Sequence, residues 1–405
     1  MEKNFGDMVL SEAARLEGLG KDPNQIASIL CKQDSAGHNY GIGIMLSGLG
    51  RAMGSSPTLL KYAQAEIENS LDGDYKNSAA LMDDLTTAVL KWQRVPEKYW
   101  NRFHLVLPSD AGTGTVQTAV QLALSLNPKL EVLGIEELGW PAYKAIAKMA
   151  RVSCQEFAGE AVISAPGILP IYQAGPMNTT GAVRSKDLIQ ARAQAAAKNK
   201  SMVILDRAYS GFEWARIISQ ESYDEIMRRS FETQIEPFIG EGVPSLVAIS
   251  PTKSFVTFSL RPCGFLLIYS PDPANDKDLT LAINTAVRAR GSSFEHPITR
   301  AFAKALVKDR EKLEGEHKAA LERLARAENM WRKLVQGTPL EGYYSEKYAG
   351  LFRNLKTKEG AAREIYNEHI YPVLAQNRCR LNVTGISDDE KLAKIHVSVF
   401  AKYCY

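Results

Sequence analysis

The chain has 405 residues, of which 45% are hydrophobic and 23% are charged, and its formal net charge is +3 at pH 7. This length and composition are typical of a globular protein with more than one lobe and no large disordered region. A nearly balanced charge over such a length gives no reason to expect nucleic acid or an anionic membrane as a partner. We therefore expect neither.

The five cysteines are scattered along the chain and include no Cys-x-x-Cys pair. This pattern predicts neither a metal site nor a disulfide framework, and it favours a reducing compartment. The first residues carry mixed charge without the apolar core of a signal peptide. A run of about 18 apolar residues, long enough to span a bilayer, is not found. We therefore expect a cytoplasmic protein that holds no metal.

Short apolar runs alternate with helix-like segments through the middle of the chain. Helical patterns cover Thr113–Leu126 and Asp187–Lys198. Strands covered on both faces are typically apolar almost throughout. Six runs have this character: Phe103–Leu107, Glu131–Ile135, Ile168–Tyr172, Met202–Leu205, Leu246–Ser250 and Phe265–Tyr269. The alternation predicts an α/β fold with a mostly parallel central sheet covered by helices.

The two ends of the chain differ from this middle part in their pattern of apolar and charged residues. Val9–Leu19 has a helical pattern, Thr299–Val335 is long, charged and helical in period, and Asp388–Tyr403 forms a closing helix. We predict a large domain of residues 51–305 and a smaller α/β domain assembled from residues 1–50 and 306–405. The cleft between two such domains is a favoured place for a ligand.

A lysine stands directly after one of the predicted buried strands. Lys253 lies in Ser250-Pro251-Thr252-Lys253, which follows Leu246-Val247-Ala248-Ile249. Partial desolvation at such a place lowers the pKa of a lysine and favours the neutral amine, which imine formation requires. Taken alone, a lysine in this place is more often a strand-end residue that reaches solvent.

Other residues near strand ends are suited to hold a phosphate group. Arg261 offers a planar guanidinium fork, and Ser250 offers a hydroxyl. Gly112 and Thr113 lie in a small-residue turn between a strand and a helix, where backbone N–H groups favour an anion. The sequence contains neither a P-loop nor a complete Gly-x-Gly-x-x-Gly, so an NAD- or nucleotide-binding enzyme fits less well.

Polar and aromatic residues after other strands suit a ring-shaped cofactor. Asp206 ends an apolar run, where an unpaired carboxylate is costly, and it can hold a protonated pyridine nitrogen that makes the ring an electron sink. Tyr209 can offer its phenol to a ring 3-oxygen, and Trp140 can stack on the ring. Asn178 follows a further strand. Taken singly, these are equally an N-cap aspartate, a packing tryptophan or a turn residue.

The order of these residues along the chain resembles that of the class I aminotransferases of the pyridoxal 5'-phosphate (PLP) fold type I. Within that class it is most similar to the aspartate and aromatic amino acid aminotransferase group. The resemblance runs from Gly41-Ile42-Gly43 to Arg380-Leu381-Asn382-Val383-Thr384-Gly385. It implies PLP as the cofactor and a homodimer with active sites at the subunit interface. It also implies ping-pong transfer of an amino group between an amino acid and a 2-oxo acid.

The resemblance implies a role for each residue of the set. Lys253 forms the Schiff base and carries the proton, with Asp206 and Tyr209 as the other catalytic residues. The implied cofactor-binding residues are Gly112, Thr113, Trp140, Asn178, Asp206, Tyr209, Ser250, Lys253, Arg261 and Tyr75, the last of them lent to the partner subunit's phosphate. The implied substrate-binding residues are Gly43, Trp140, Asn178, Arg380 for the α-carboxylate and Arg288 for a side-chain carboxylate.

The sequence departs from the family pattern at several positions around this set. Asn-Pro-Thr-Gly reads Asn178-Thr179-Thr180-Gly181, Tyr143 stands where a histidine is usual, and Leu260 stands where an acidic residue is common. None of these changes removes a group that bonds to the cofactor. The arginine that selects a side-chain carboxylate is either Arg288 or Arg290, so a preference for dicarboxylates stays open.

Two rival functions also stay open. Another PLP reaction on the same fold, such as that of a β-lyase or a decarboxylase, would use the same cofactor set, although Arg380 favours retention of the carboxylate. A regulatory or binding protein with this fold would usually carry an appended DNA-binding domain or lack the lysine. Neither sign is seen in the sequence.

Overall fold

The computed structural model describes residues 4–48, 51–69, 73–108, 110–163, 165–291 and 295–405. The helices in these residues are α1 Phe5–Gly18, α2 Pro23–Gln33, α3 Pro57–Glu68, α4 Met82–Trp92, α5 Ala111–Leu126, α6 Ala142–Ala150, α7 Lys186–Lys198, α8 Tyr223–Gln234, α9 Glu236–Gly240, α10 Pro251–Ser254, α11 Asp276–Gly291, α12 Pro297–Lys308, α13 Arg310–Leu334, α14 Ala361–Asn367 and α15 Glu390–Tyr403. The strands are β1 His38–Asn39, β2 Phe103–Val106, β3 Val132–Glu136, β4 Ser153–Phe157, β5 Ile168–Gln173, β6 Val203–Arg207, β7 Ser245–Ile249, β8 Phe265–Tyr269, β9 Phe352–Lys356, β10 Ile370–Tyr371, β11 Val373–Ala375 and β12 Arg378–Asn382.

The central sheet has the strand order β2-β8-β7-β6-β5-β3-β4. Strand β8 runs antiparallel to both of its neighbours, and the other pairs are parallel. All residues of β6, β7 and β8 are buried, as their continuous apolar runs predict. The mostly parallel sheet covered by helices is therefore confirmed.

Strand β4 is the element of this sheet that the sequence reading missed. It forms the edge of the sheet, and three of its five residues are exposed. Its sequence, Ser-Cys-Gln-Glu-Phe, carries no apolar run because its outer positions face water. Burial on both faces is what makes central strands recognisable, and an edge strand lacks it.

Hydrophobic layers cover both faces of the sheet. Leu246 and Ala248 of β7 belong to the cluster that includes the apolar side chains of α5 and α6. The alternate residues Val247 and Ile249 belong to the larger cluster formed with α4, α8, α12 and α13. Successive side chains of a strand point to opposite faces, so each buried strand joins two cores.

The first and last parts of the chain meet in space. Strand β1 pairs in parallel with β10, and β11, β12 and β9 form a separate antiparallel sheet. Arg323 on α13 donates hydrogen bonds to the backbone carbonyls of Leu46 and Thr384, each at 2.9 Å. This arrangement supports a smaller domain built from both chain ends, and the boundaries at residues 51 and 306 stay a prediction.

The long helical segment near residue 310 is two helices and not one. Helix α12 ends at Lys308, and Asp309 leaves helical geometry with φ −132° and ψ 34° before α13 begins. The carboxylate of Asp309 accepts hydrogen bonds from Tyr62 at 2.9 Å and from Lys312 at 2.7 Å. The partner from α3 is distant in sequence, so the helical period alone does not show this break.

Within the described ranges, no helix has both the length and the apolar character needed to cross a membrane. The same residues contain no group of three or more His, Cys, Asp or Glu side chains placed to hold a metal ion.

Candidate active site

Most of the predicted site residues lie at one edge of the central sheet. The carboxyl ends of β3, β5, β6 and β7 point to this edge, because these strands are parallel. The segments that directly follow these strands hold the site residues: Trp140 after β3, Asn178 after β5, Tyr209 after β6 and Lys253 after β7. Ligands of open α/β sheets bind outside the carboxyl ends of the strands.

Lys253 is half-buried in the short helix α10, directly after β7. Its Nζ donates a hydrogen bond to the backbone carbonyl of Gly43 at 2.6 Å and lies 6.0 Å from the centroid of the Tyr209 ring. Burial, together with the nearby charges of Arg380 and Arg261, lowers the pKa of Lys253 to about 8. The amine is therefore available in neutral form at much lower pH than that of an exposed lysine.

Asp206 is buried near the end of β6, with 9% of its surface exposed. Its Oδ2 accepts a hydrogen bond of 2.5 Å from the phenol of Tyr143. Burial raises the pKa of the Asp206 carboxyl to about 6, although Tyr143 and the backbone N–H of Ala208 both favour the charged form. A carboxylate in this position is suited to face a protonated ring nitrogen.

A hydrogen-bonded pair stands beside Asp206. The side-chain amide of Asn178 donates to the phenol oxygen of Tyr209 at 2.6 Å, and the backbone N–H of Asn178 donates to Gln173 Oε1 at 2.8 Å. Burial raises the pKa of Tyr209, and the hydrogen bond from Asn178 opposes that rise. The phenol and the amide are thus fixed relative to each other, as ligands of one oxygen atom need to be.

The start of helix α5 forms a cradle of backbone N–H groups against Ser250. A Cβ atom placed on Gly112 would lie 2.7 Å from Ser250 Cβ, closer than real Cβ contacts. Asp110 and Ala111, which lead into the helix, have left-handed φ angles of 63° and 51°. Thr113 is exposed in the same first turn. Orphan N–H groups at the start of a helix attract anions, so this cradle fits a phosphate.

Arg261 lies in the loop between α10 and β8, and its side chain is exposed. Its φ angle of 41° is left-handed, and its backbone N–H donates to the carbonyl of Thr257 at 2.9 Å. Its positive charge contributes to the lowered pKa of Lys253. An exposed guanidinium is available to bind an anion, and the role of Arg261 at the phosphate stays a prediction.

Arg380 lies on β12 of the smaller sheet, and its guanidinium carbon is 4.6 Å from the centroid of the Phe352 ring. Its Nη2 donates to the side chain of Asn24 and to the carbonyl of Gly41, the latter at 3.1 Å. Its Nε is buried and has no hydrogen-bond partner within the part of the chain that the structure describes. A buried cation with an unused donor fits a carboxylate ligand.

Tyr75, Arg288 and Arg290 are not brought into this cluster. Tyr75 is 75% exposed, and Arg288 is exposed on α11. Arg290 is engaged with α5: it donates to the carbonyl of Gly114 at 2.8 Å and to the hydroxyl of Thr118. Within one chain, the two arginines therefore differ, because Arg290 is anchored to the chain itself while Arg288 extends into solvent.

The structure also places residues at the site that the sequence reading did not single out. Gln173 pairs in register with Asp206, and its buried Nε2 has no hydrogen-bond partner among the described residues. A polar residue that ends an apolar run was the available signal, as it was for Asp206. Asn24 and Phe352 contact Arg380 from distant parts of the chain, and no local pattern indicates those contacts.

The comparison with family models matches residues 53–395 to the model described as "Aminotransferase class I and II". The chain belongs to this aminotransferase family. Its members are PLP-dependent enzymes that transfer amino groups. The resemblance inferred from the motifs is confirmed. A comparison with curated protein sequences found no match.

Solved structures of aminotransferases share the fold. The broad specificity aminotransferase from Leishmania mexicana is 17% identical, with a TM-score of 0.77 over 94% of this chain and 95% of that one. The aromatic-amino-acid aminotransferase from Burkholderia pseudomallei, covalently bound to pyridoxal phosphate, is 18% identical, with a TM-score of 0.76 over 94% and 96%. The aspartate aminotransferase from Saccharomyces cerevisiae cytoplasm is 17% identical, with a TM-score of 0.71 over 92% and 94%. At these identities the likeness concerns the fold.

The residues of this aminotransferase fit PLP in their chemistry. The buried carboxylate of Asp206 suits the pyridine nitrogen, the pair of Asn178 and Tyr209 suits the ring oxygen, and the α5 cradle suits the phosphate. The amine of Lys253, with its lowered pKa, suits the aldehyde. The donor set thus matches each polar group of the cofactor.

The contact between Gly112 and Ser250 leads to a stability prediction. We expect Gly112→Ala to destabilise the cofactor-free protein by about 1–3 kcal/mol, because the added methyl group meets Ser250 Cβ in a packed region. The added substitution Ser250→Gly should restore stability. Gly315→Ala is the matched control: Gly315 lies in α13 with no atom near its Cβ position, and alanine should stabilise there by about 0.5–1 kcal/mol. Thermal unfolding measures all three, and equal behaviour of the two alanine variants would contradict the cradle geometry.

The lowered pKa of Lys253 leads to a prediction about pH. Protonated amines are not nucleophiles, so covalent capture of PLP by the cofactor-free protein should accelerate as pH rises, with a midpoint near pH 8. An exposed lysine would show a midpoint near pH 10.4. Arg380→Met should move the midpoint upward, because a positive neighbour that favours the neutral amine is removed. Stopped-flow absorbance measures the rate, with Lys253→Ala as the blank. A midpoint near 10 in the unmodified protein would contradict the prediction.

Proposed function

We propose that this aminotransferase moves the amino group between an amino acid of the aspartate, glutamate or aromatic type and a 2-oxo acid. The observation that carries the proposal is the neighbourhood of two groups, the Lys253 amine with its lowered pKa and the half-buried guanidinium of Arg380. The backbone of residues 41–43 links them, because Arg380 bonds to the carbonyl of Gly41 and Lys253 to that of Gly43. A basic amine and a carboxylate-binding guanidinium that both bond to the segment of residues 41–43 suit an α-amino acid, which carries an α-proton and an α-carboxylate.

Each residue has a distinct task in the proposed reaction. PLP, when bound, supplies an electron sink for the negative charge that develops at the substrate α-carbon. Arg380 binds the α-carboxylate through its fork and orients the substrate. Lys253 would hold the cofactor through Nζ. Once released, it would take the α-proton of the substrate on the same atom and donate that proton to the cofactor carbon that bears the nitrogen, before water releases the 2-oxo acid. Asp206 keeps the ring nitrogen protonated, and Trp140 covers one face of the ring.

The same groups serve both halves of the reaction. The first amino acid leaves its amino group in the site and departs as a 2-oxo acid, and the second 2-oxo acid then accepts that amino group. Arg380 binds the α-carboxylate in both cases, since amino acid and 2-oxo acid share it. A single site that is used in turn by two substrates gives ping-pong kinetics.

We further propose that the enzyme is a cytoplasmic homodimer in which Tyr75 and Arg288 act at the partner subunit's site. Both residues are exposed in one chain, and neither contacts the cluster around Lys253. Exposed apolar side chains accompany them: Leu60 and Ile67 on α3, and Leu281 and Val287 on α11. Such side chains favour burial against a second copy. The free thiols are compatible with a reducing compartment.

The proposed function is tested by absorbance spectra of the PLP-loaded protein before and after addition of single amino acids without any acceptor. We expect aspartate, glutamate or an aromatic amino acid to shift the cofactor spectrum and release its 2-oxo acid. Lys253→Ala should lose the covalent cofactor signal and the shift, because the base and the attachment point are one atom. Lys198→Ala, on the distant helix α7, is a matched control that should behave as the unmodified protein.

The products decide among the alternatives. A 2-oxo acid with the carbon skeleton of the donor supports the transaminase. Pyruvate with ammonia would indicate a β-lyase, and an amine with carbon dioxide would indicate a decarboxylase. Full activity of Lys253→Ala would contradict the assigned role of that lysine.

The role of Arg288 is tested by donor preference. Arg288→Ala should lower kcat/KM for aspartate by about tenfold or more relative to an aromatic donor, because a hydrogen bond between charged groups contributes about 1.5–3 kcal/mol. Arg290→Ala is the control, since Arg290 is anchored to α5; it should change both donors alike and lower thermal stability. If Arg288→Ala affects both donors equally, Arg288 does not select the side-chain carboxylate.

A further inference from the structure

Tyr143 and Asp206 form a buried phenol–carboxylate pair behind the site. The phenol of Tyr143 on α6 donates to Asp206 Oδ2 at 2.5 Å. Tyr143 is 1% exposed and Asp206 is 9% exposed, so water competes little for this hydrogen bond. Hydrogen bonds to an ionised acceptor in a dry environment are the stronger ones, and a distance of 2.5 Å is within their range.

The surroundings keep the phenol protonated. Asp206, Glu136 at the end of β3 and Tyr209 all raise the pKa of Tyr143, after burial as the largest cause. Glu136 is itself held by two arginines, because its Oε1 accepts from Arg184 at 2.8 Å and from Arg192 at 3.0 Å. The phenol of Tyr143 thus faces negative groups and remains a donor across the working pH range.

Packing fixes the position of this donor. The Tyr143 ring meets the Trp140 ring edge-on, with centroids 5.4 Å apart, and its apolar atoms lie in the cluster shared with α5. The phenol therefore has a fixed place from which to hold the carboxylate. The backbone N–H of Ala208 also lowers the pKa of Asp206 and so favours its charged form. The hydrogen bond from this fixed phenol therefore orients the carboxylate.

We propose that Tyr143 is a positioning residue that acts through Asp206: its phenol orients the carboxylate and keeps it ionised so that it binds the protonated ring nitrogen of PLP. The inference rests on the proposed function, because it requires PLP in this site. Tyr143 does not contact the reacting atoms in this scheme. Removal of its hydroxyl weakens the hold of Asp206 on the ring nitrogen while the contacts to the phosphate and the ring oxygen remain.

The test uses Tyr143→Phe, which removes one oxygen atom and keeps the ring, and two ligands of the cofactor-free protein. One ligand is PLP, and the other is its analogue with C–H in place of the ring nitrogen. Equilibrium binding, followed by absorbance, gives both dissociation constants. Tyr172→Phe is the matched control: its phenol donates to the carbonyl of Ile163 at 2.7 Å, and it is likewise a buried tyrosine.

We expect Tyr143→Phe to weaken PLP binding by about tenfold, the typical size of a lost hydrogen bond to a charged group, and to leave binding of the analogue unchanged. The pKa of the ring nitrogen of bound PLP should also fall, because a carboxylate that has lost its hydrogen bond from Tyr143 stabilises the protonated nitrogen less. Tyr172→Phe should change neither ligand. Equal weakening of both ligands, or of neither, would overturn the proposal.

A second variant keeps the proposal testable if Tyr143→Phe does not fold. Tyr143→His retains a donor on the same helix position, so the ratio of the two dissociation constants should stay close to that of the unmodified protein. If the ratio of the dissociation constants of PLP and its analogue moves toward one in Tyr143→His, a hydrogen-bond donor at position 143 does not act through Asp206. Failure of the proposed function gives a different result: a lyase or decarboxylase is recognised by its products and still binds PLP, whereas an unmodified protein that binds neither ligand contradicts PLP as the cofactor.

Discussion

The site depends on the common direction of β3, β5, β6 and β7. Parallel strands bring their carboxyl ends to one edge of the sheet, and each of these strands is followed by a residue or loop with a polar or aromatic group. Because the central strands are buried on both faces, the positions of their carboxyl ends are fixed by packing. Groups more than a hundred residues apart in sequence, such as Trp140 and Lys253, are thereby held around one small volume.

Burial also sets the charges of the site. The same desolvation that raises the pKa of Asp206 to about 6 lowers that of Lys253 to about 8, because it penalises the charged form of each group. Between these values Asp206 is ionised, and Lys253 loses its proton as pH rises toward 8. A carboxylate to hold a cation and an amine that can become neutral thus coexist near neutral pH.

The departures from the family pattern are accommodated by hydrogen bonds of this chain's own. Thr179, which stands in place of a proline, donates its hydroxyl to the backbone carbonyl of Leu138 and so joins the loop of Asn178 to that of Trp140. Tyr143, in place of a histidine, donates to Asp206. Thr179 therefore contacts a residue close to the predicted ligand Trp140, and Tyr143 contacts the predicted ligand Asp206 itself. A phenol, unlike imidazole, brings no positive charge to this carboxylate.

The sequence by itself predicted the fold class and the strand-end candidates, because burial on both faces leaves apolar runs and a polar residue that ends such a run stands out. The cofactor followed from the resemblance of these residues, in their order, to the class I aminotransferases. Local patterns failed where the deciding contact is distant. The exposed edge strand β4 has no apolar run, and the break at Asp309 depends on Tyr62 of another helix. The tertiary structure alone decided that Arg290 bonds to α5 while Arg288 stays exposed, and that Asn24 reaches Arg380. These outcomes follow from packing between elements far apart in the chain, which no short stretch of residues encodes.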